Sequence, residues 1–486
     1  MDGAPKSGHS SVKFGTSGLR GLVTDLCGVP AYAYTRAFAE MLKQDGSAAL
    51  AQNTVLIGRD LRGSSPEIAR LCAAALLDSG LMPQDCGELP TPALAYDGKR
   101  LGRPAIMVTG SHIPEDRNGL KFYRTLGEID KNDEQTISAW HARLAIGAVP
   151  SRPGSDDRRA PESDPLASYK SRYLDFFRHR ALAGLAVGIY QHSSVARDLL
   201  VEMIEALGAR AVPLGRADRF IPVDTEALRE EDRVLVRRWA EEASLDAIVS
   251  TDGDADRPLI ADGTGNFLRG DLVGAITAKF LKADTVVTPV TSNSALEEGG
   301  SFARVVRTRV GSPYVIAGMT EAAVSSQGRT IVGFEANGGV LLGTEAVRNE
   351  RQLSALPTRD AMLPILCILA EVVERGETLA QIGSGFHFKA ALSDRLENVA
   401  TEKSAAFVSR LSKDKNFLEQ ILAPLGALAQ RDDRDGLRLI ADTGDVLHFR
   451  PSGNAPELRV YVEASTPERA EKLLSWGIAA AEQYTR

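Results

Sequence analysis

Cysteine is scarce, with four in 486 residues: Cys27, Cys72, Cys86 and Cys367. They form no C-x-x-C pair, which argues against redox exchange or a zinc ribbon, and all four are expected to be reduced and buried. Histidine is also sparse, and His9, His141, His179 and His387 lack the spacing of a zinc site. No apolar run is long enough to span a bilayer; the longest, 361–373, is broken by Pro364 and Glu371. Positive charge is not in excess. Lys plus Arg number 57 against 64 Asp plus Glu, and the net charge of −7 argues against a nucleic-acid or anionic-membrane partner. Residues 1–13 are polar with no apolar segment, so no signal peptide and a cytoplasmic location are expected. The glycine-rich Phe14-Gly15-Thr16-Ser17-Gly18-Leu19-Arg20-Gly21 ends without G-K-[ST] and is not a Walker A loop.

The length implies three or four domains, and the 43% apolar and 25% charged content suits a globular enzyme. The most informative stretch is Asp252-Gly253-Asp254-Ala255-Asp256-Arg257, which follows a β-branched apolar run at 245–249. Three carboxylates at alternate positions point one way if the chain stays extended, and they repel one another unless a cation lies between them. All-oxygen donors suit a hard ion such as Mg²⁺. An EF-hand is excluded, since its sixth position would be Arg257 and its twelfth Gly263. A solvated acidic turn is the structural alternative.

Around this stretch one plan repeats three times. A strand at 54–58 leads to a helix opened by Ser64-Ser65-Pro66-Glu67, with Ile68, Leu71, Cys72, Ala75 and Leu76 on one face; the strand at 105–109 then ends in Gly110-Ser111-His112-Ile113-Pro114. A strand at 185–190, a helix opened by Ser193-Ser194 and a strand at 247–249 lead into the aspartates. A strand at 285–290, a helix opened by Ser292-Asn293-Ser294 and a strand at 330–332 lead into Gly333-Phe334-Glu335-Ala336-Asn337-Gly338-Gly339. Alternating strands and helices imply mostly parallel sheets, with ligands beyond the carboxyl ends of the strands. Residues 151–165 read as a linker, and a softer boundary lies at Asp262-Gly263. The last hundred residues differ in character. A hairpin of 436–441 and 446–450, a strand at 457–464 and a helix capped by Ser465-Thr466-Pro467-Glu468 form a small α+β domain. Between its strands, Arg450-Pro451-Ser452-Gly453-Asn454-Ala455-Pro456 has the make-up of an anion nest. The expected layout is three similar mixed-sheet α/β domains, 1–155, 156–261 and 262–384, around a central cleft, plus the α+β domain 385–486.

From about Lys13 to the last helix the chain resembles the α-D-phosphohexomutases, the phosphomannomutase/phosphoglucomutase group. The resemblance rests on four motifs in family order: Thr109-Gly110-Ser111-His112-Ile113-Pro114, Asp252 to Arg257, Gly333 to Gly338 and Arg450 to Pro456. It implies that Ser111 is held as a phosphoserine and passes its phosphoryl group to a hexose phosphate through a hexose 1,6-bisphosphate. Mg²⁺ is then expected on Asp252, Asp254, Asp256 and a Ser111 oxygen. Arg20 and Arg257 would steady the transferring phosphoryl group. Lys121 would shuttle a proton, its pKa lowered beside Arg20 and the metal. Glu335 and Asn337 match the sugar contacts, and Arg450, Ser452, Gly453 and Asn454 match the loop on the other phosphate. Ser111 itself is expected as an exposed loop hydroxyl, and His112 as an orienting neighbour. Mannose, and with it glucose, is the expected sugar, since a carboxylate on O3 and O4 is blind to C2. A main activity on glucose and a non-catalytic sugar-phosphate binding protein are the alternatives. A haloacid-dehalogenase-type D-x-D would need Thr or Val at Asp256, and a nucleotide-sugar glycosyltransferase leaves Ser111 and Arg450 unexplained. The expected partners are small sugar phosphates, with a monomer or homodimer.

Overall fold

In the computed structural model, the described residues are 11–15, 18–144, 164–325, 328–452 and 456–485. The proposed linker therefore lies almost wholly outside the described residues, as do Gly453 and Asn454. Four principal sheets follow one another along the chain. In the first, Thr54–Arg59 lies parallel to both Met82–Glu88 and Ala105–Val108, and Arg117–Arg124 then returns antiparallel beside Ala105–Val108. In the second, Ala186–His192 lies parallel to Arg210–Arg216 and Ala247–Thr251, and Pro258–Asp262 returns antiparallel. In the third, Thr285–Pro289 lies parallel to Arg304–Thr308 and Ile331–Phe334, and Val340–Leu342 returns antiparallel. The fold is thus three mixed α/β sheets and a fourth, wholly antiparallel one.

These antiparallel returns make the sheets mixed, as expected, although the sequence reading has no strand at Pro258–Asp262 or Val340–Leu342. Each signature loop connects a parallel strand to the neighbour that turns straight back, so each is a tight excursion from one sheet end, not a crossover. The fourth sheet runs Ala390–Glu397, Glu457–Ala464, Val446–Pro451, Leu437–Ala441, Leu428–Asp432 and carries the helices Thr401–Lys413, Lys415–Leu422 and Pro467–Thr485. Its hairpin and third strand lie where their alternating residues put them.

Helix Ser65–Asp78 buries Ile68, Leu71, Cys72, Ala75 and Leu76 as its periodicity requires. The expected hydroxyl caps are mostly redirected. Ser64 makes no side-chain cap; its hydroxyl accepts from Asn118 at 2.8 Å, and the Ser65 hydroxyl donates to Asp60 at 2.5 Å. The helix after Ser193-Ser194 starts only at Arg197, and the one after Ser294 is a single turn, Ala295–Glu298. The Ser294 hydroxyl donates instead to Glu463 of the fourth sheet at 2.5 Å. Hydroxyls read as local caps are thus used between sheets. One apolar core is shared by the first three sheets, running from Leu56 through Ile189 and Val249 to Val332 and Leu366, whereas Leu439, Phe449 and Val460 form a separate core in the fourth. The four cysteines are free, but only Cys72 and Cys367 are buried. Cys27 and Cys86 are half-buried, Cys86 because its strand is an edge strand. No helix among the described residues is long and apolar enough to cross a membrane.

Candidate active site at the meeting of three sheets

The aspartate loop leaves strand Ala247–Thr251 and curls at once, with Ala255 at φ 60°. Curling, not extension, brings the carboxylates together: one oxygen from each of Asp252, Asp254 and Asp256 lies within 4.8 Å of the others, all buried. The loop is clamped from three directions. The Gly253 carbonyl accepts from the Val195 amide at 3.0 Å, the Asp254 carbonyl from Thr91 at 2.9 Å and the Ala255 carbonyl from Ala361 at 3.3 Å. These amides belong to three different units and sit at or just before helix starts, so free helix N–H groups are used to hold the loop.

Ser111 sits opposite. Its hydroxyl donates to Asp252 Oδ2 at 2.6 Å, and His112 Nδ1 lies 3.2 Å away. The residue is only 1% exposed, so the expectation of an exposed hydroxyl is corrected, and its backbone is left-handed at φ 53°. Such a conformation in a residue with a Cβ persists only where its surroundings enforce it. Arg62 does the enforcing. Its buried guanidinium donates to the Ser111 carbonyl at 2.9 Å and to the Pro114 and Arg117 carbonyls at 2.7 and 3.0 Å, pairs with Asp60 at 3.3 Å, and lies 4.0 Å over the Phe220 ring. Gly110 is required there, because a Cβ would lie 2.5 Å from the Arg62 Cζ.

Lys121 lies between Asp254 and Asp256, its ammonium 2.6 Å from an Oδ2 of each. Burial works against its charge, but the two aspartates outweigh it and raise its pKa, which corrects the expected lowering. Arg20 lies on strand Leu19–Leu22, opposite Gly119, and burial together with Arg257 and Arg359 pulls it down to about 10. Asp252 is pushed well above the usual carboxylate range by burial and by Asp256 and Asp254. Asp256 goes the other way: burial opposes its charge, yet Arg359, Lys121 and Arg257 hold it well below that range. Burial, with Arg257 and Arg20 nearby, keeps the His112 imidazole neutral.

The donor set fits a divalent cation on a specific observation. Asp254 Oδ1 and Asp256 Oδ1 are buried with no hydrogen-bond partner, while each Oδ2 is held by Lys121, with Thr91 or Arg359 as a second donor. Two buried carboxylate oxygens without a hydrogen bond, with only the Arg257 Nε 3.7 Å from Asp256 Oδ1, are costly unless a cation completes them. Asp254 Oδ1, Asp256 Oδ1 and the Ser111–Asp252 pair would hold it.

Glu335 and Asn337 are buried in the turn after strand Ile331–Phe334; Glu335 is joined to this centre by Arg359, whose guanidinium bonds both Glu335 and Asp256, while Asn337 Oδ1 accepts from the Gly339 amide at 2.9 Å. The segment 217–229 crosses from the second sheet: Phe220 lies under Arg62, and the Thr225 hydroxyl donates to the Asn337 carbonyl at 2.8 Å. Its Glu226 keeps solvent access, yet surrounding protein raises its carboxyl despite Arg257. Arg450 is not in the hydrogen-bonded centre. Its Nε donates to Asp435 at 2.8 Å, and the same Asp435 oxygen accepts from the Val310 amide at 2.9 Å, which ties the fourth sheet to the third. Ser452 is buried, its amide donating to the Glu457 carbonyl at 2.9 Å. A cavity of about 420 Å³ lies elsewhere, lined by Phe177, Phe280, Arg348 and Glu374 and by none of the site residues. Thr91, Arg62, Arg359 and Glu226 were not found from sequence. The one available signal was Thr358-Arg359-Asp360, three polar residues running into an apolar helix.

Four family models match in order: the α/β/α domains I, II and III of phosphoglucomutase/phosphomannomutase over residues 11–144, 168–265 and 269–387, and the C-terminal domain over 398–475. A phosphomannomutase of Sinorhizobium fredii is 50% identical over 467 residues, covering 96% of this chain and 98% of its own. One of Salmonella muenchen is 42% identical over 470 residues, covering 95% and 94%. The crystal structure of a phosphoglucomutase/phosphomannomutase family protein from Burkholderia thailandensis superimposes with a TM-score of 0.75 over 97% of this chain and 98% of its own, at 20% identity. With four signature loops in order and full-length relatives at this identity, the chain belongs to the phosphoglucomutase/phosphomannomutase family of phosphohexomutases and is an isomerase of the phosphomannomutase type.

Proposed function

We propose that the chain moves phosphate between C6 and C1 of mannose, and of glucose, with Ser111 as the phosphoryl carrier. The observation behind this is the Ser111 hydroxyl 2.6 Å from Asp252, which shares a buried cluster with Asp254 and Asp256, each with an Oδ1 that has no hydrogen-bond partner. In the first half-reaction the bond between phosphorus and Ser111 Oγ breaks as one forms to the free sugar hydroxyl, whose proton ends on Ser111 Oγ, giving the 1,6-bisphosphate. After the bisphosphate reorients, its other phosphoryl group returns to Ser111, whose proton ends on the departing sugar oxygen. Such transfers require positioning and charge neutralisation more than covalent chemistry. Arg20 and Arg257 bind the transferring oxygens. Lys121 orients Asp254 and Asp256 as an ammonium, which can give a proton but not accept one, and His112 Nδ1, 3.2 Å from Oγ, is the acceptor placed by geometry. Bound Mg²⁺ supplies Lewis-acid polarisation of the phosphoryl group.

Glu335 accepts the vicinal O3 and O4 hydroxyls, with Asn337 beside it. Arg450, Ser452, Gly453 and Asn454 grip the phosphate that is not in transit, and that remote hold allows two orientations. A hexose 1,6-bisphosphate primes the dephosphorylated enzyme. The four sheets correspond to domains divided near 155, 261 and 384. The test is kcat/KM for mannose 1-phosphate and glucose 1-phosphate with Mg²⁺ and bisphosphate. Turnover of both is expected. A preference for glucose of a hundredfold or more would make it a phosphoglucomutase, and no turnover of either would leave a binding protein.

A further inference from the structure

Arg359 is the penultimate residue of strand Leu356–Asp360, and its side chain is 3% exposed. Its Nε and Nη2 lie 3.1 and 2.7 Å from Asp256 Oδ2, and its Nη1 lies 3.2 Å from Glu335 Oε2. One planar fork therefore spans two buried carboxylates on two different loops. With Oδ2 held, Asp256 Oδ1 has no hydrogen-bond partner and only the Arg257 Nε at 3.7 Å, while one oxygen of Asp256 lies within 4.8 Å of one from each of Asp252 and Asp254.

The backbone beneath the fork cannot slide. Neighbouring strand residues point to opposite faces. The Asp360 carboxylate accepts the Tyr169 hydroxyl at 2.5 Å, the Tyr173 hydroxyl and the Met362 amide at 3.0 Å, while Thr358 donates to Glu128 at 2.8 Å. Gly339 leaves room for the arginine stem, since a Cβ there would lie 2.6 Å from the Arg359 Cδ. Strand, fork and both carboxylates thus form one packed unit. A rigid planar cation with both ends engaged passes a displacement at one carboxylate to the other.

We propose that Arg359 is a positioning residue that makes divalent-cation binding and hexose-phosphate binding tighten one another, by holding Asp256 and Glu335 on a single guanidinium. This rests on the assignment of Asp256 to the metal and Glu335 to the sugar. Whichever ligand binds first orders the shared fork, and the second then meets an ordered partner. Linkage requires the two tightening factors to be equal.

The experiment uses the full chain with no bisphosphate primer, so that no phosphoryl group is available for turnover. Mn²⁺ serves as the probe, with free ion counted by electron paramagnetic resonance in the absence and presence of mannose 6-phosphate. The converse titration, sugar phosphate with and without Mn²⁺, is made by calorimetry. For the unsubstituted chain we expect each ligand to tighten the other about fivefold or more. Arg359→Gln is expected to weaken Mn²⁺ binding about tenfold or more and to bring the coupling factor to one. Arg359→Lys keeps the charge but not the fork, so it should retain the fold and also lose the coupling; it carries the test should the Gln variant not fold. Coupling retained in either folded variant overturns the proposal, as does an unsubstituted chain that binds both ligands independently. An unsubstituted chain that binds no Mn²⁺ overturns the metal assignment as well, which separates failure of this inference from failure of the reading beneath it.

Discussion

Thr91 and Asp254 stand 163 residues apart and are joined twice: the Thr91 amide donates to the Asp254 carbonyl at 2.9 Å, and the Thr91 hydroxyl to Asp254 Oδ2 at 2.6 Å. The first residue of helix Thr91–Leu101 thereby sets both the backbone and the carboxylate of the middle aspartate. Thr91→Val keeps the shape and removes the hydroxyl. It should lower stability by about 1–2 kcal/mol in urea denaturation and weaken Mg²⁺ activation about tenfold, with Thr91→Ser restoring both. An unchanged Mg²⁺ dependence in Thr91→Val would detach this contact from the metal site.

Ser111 combines a left-handed backbone with a buried hydroxyl bonded to Asp252. Ser111→Ala and Ser111→Gly should both abolish turnover, since neither carries an acceptor oxygen. Their stabilities should differ, because glycine takes φ 53° without strain. The Gly variant is expected to unfold about 1 kcal/mol later than the Ala variant. Equal urea midpoints would show that the loop relaxes once the hydroxyl is gone.

Two buried histidines set the acid limb of stability. His192 Nε2 lies 2.8 Å from the Thr251 carbonyl and His448 Nε2 lies 2.7 Å from the Asp435 carbonyl, so each donates there and leaves a buried Nδ1 without a partner. Burial pulls both down to about 4 from the ordinary 6.5, against the pull of the accepting carbonyls. Between those values the unfolded chain binds the extra protons and the folded chain does not. The contribution of these two groups is therefore full above about 6.5 and is lost as pH falls towards 4, at about 1.4 kcal/mol per unit for each histidine. Urea midpoints at pH 7 and pH 5 should fall less in His192→Gln and in His448→Gln than in the unsubstituted chain; parallel losses would contradict this assignment.

If Arg450 grips the second phosphate as proposed, its Nε must be shared with Asp435, to which it already donates, so a substrate phosphate would compete for the guanidinium. Arg450→Ala should raise KM about tenfold to a hundredfold with a smaller change in kcat, as expected for a charge-assisted contact worth about 1.5–3 kcal/mol. Asp435→Asn should lower KM by freeing the guanidinium. An unchanged KM in Arg450→Ala would remove this loop from the site.

Much of the site was legible because its chemistry is concentrated in short runs. Asp252, Asp254 and Asp256 announce themselves by repulsion, and Ser111 and Glu335 lie in small-residue loops after apolar strands. The residues that hold them were not legible, because each is a lone polar residue whose partner lies far along the chain. Thr91 pairs with Asp254, Arg62 with the Ser111 carbonyl, and Arg359 with Asp256 and Glu335. The parallel core strands followed from alternation of strands and helices, but the antiparallel returns did not, since Pro258–Asp262 and Val340–Leu342 are short and fully buried and lack the period-2 pattern that marks a strand. The serine caps misled for a related reason: a hydroxyl near a helix start can bond across the molecule as readily as along it.

Ser111 as the phosphoryl carrier is tested most directly by trapping the phosphoenzyme. The full chain is incubated with radiolabelled hexose 1,6-bisphosphate and Mg²⁺, quenched in acid and digested, and the labelled peptide is sequenced. An acid-stable, hydroxylamine-resistant label on Ser111, absent from Ser111→Ala, is predicted. A hydroxylamine-labile label on Asp252, with Ser111 unmodified, would contradict it.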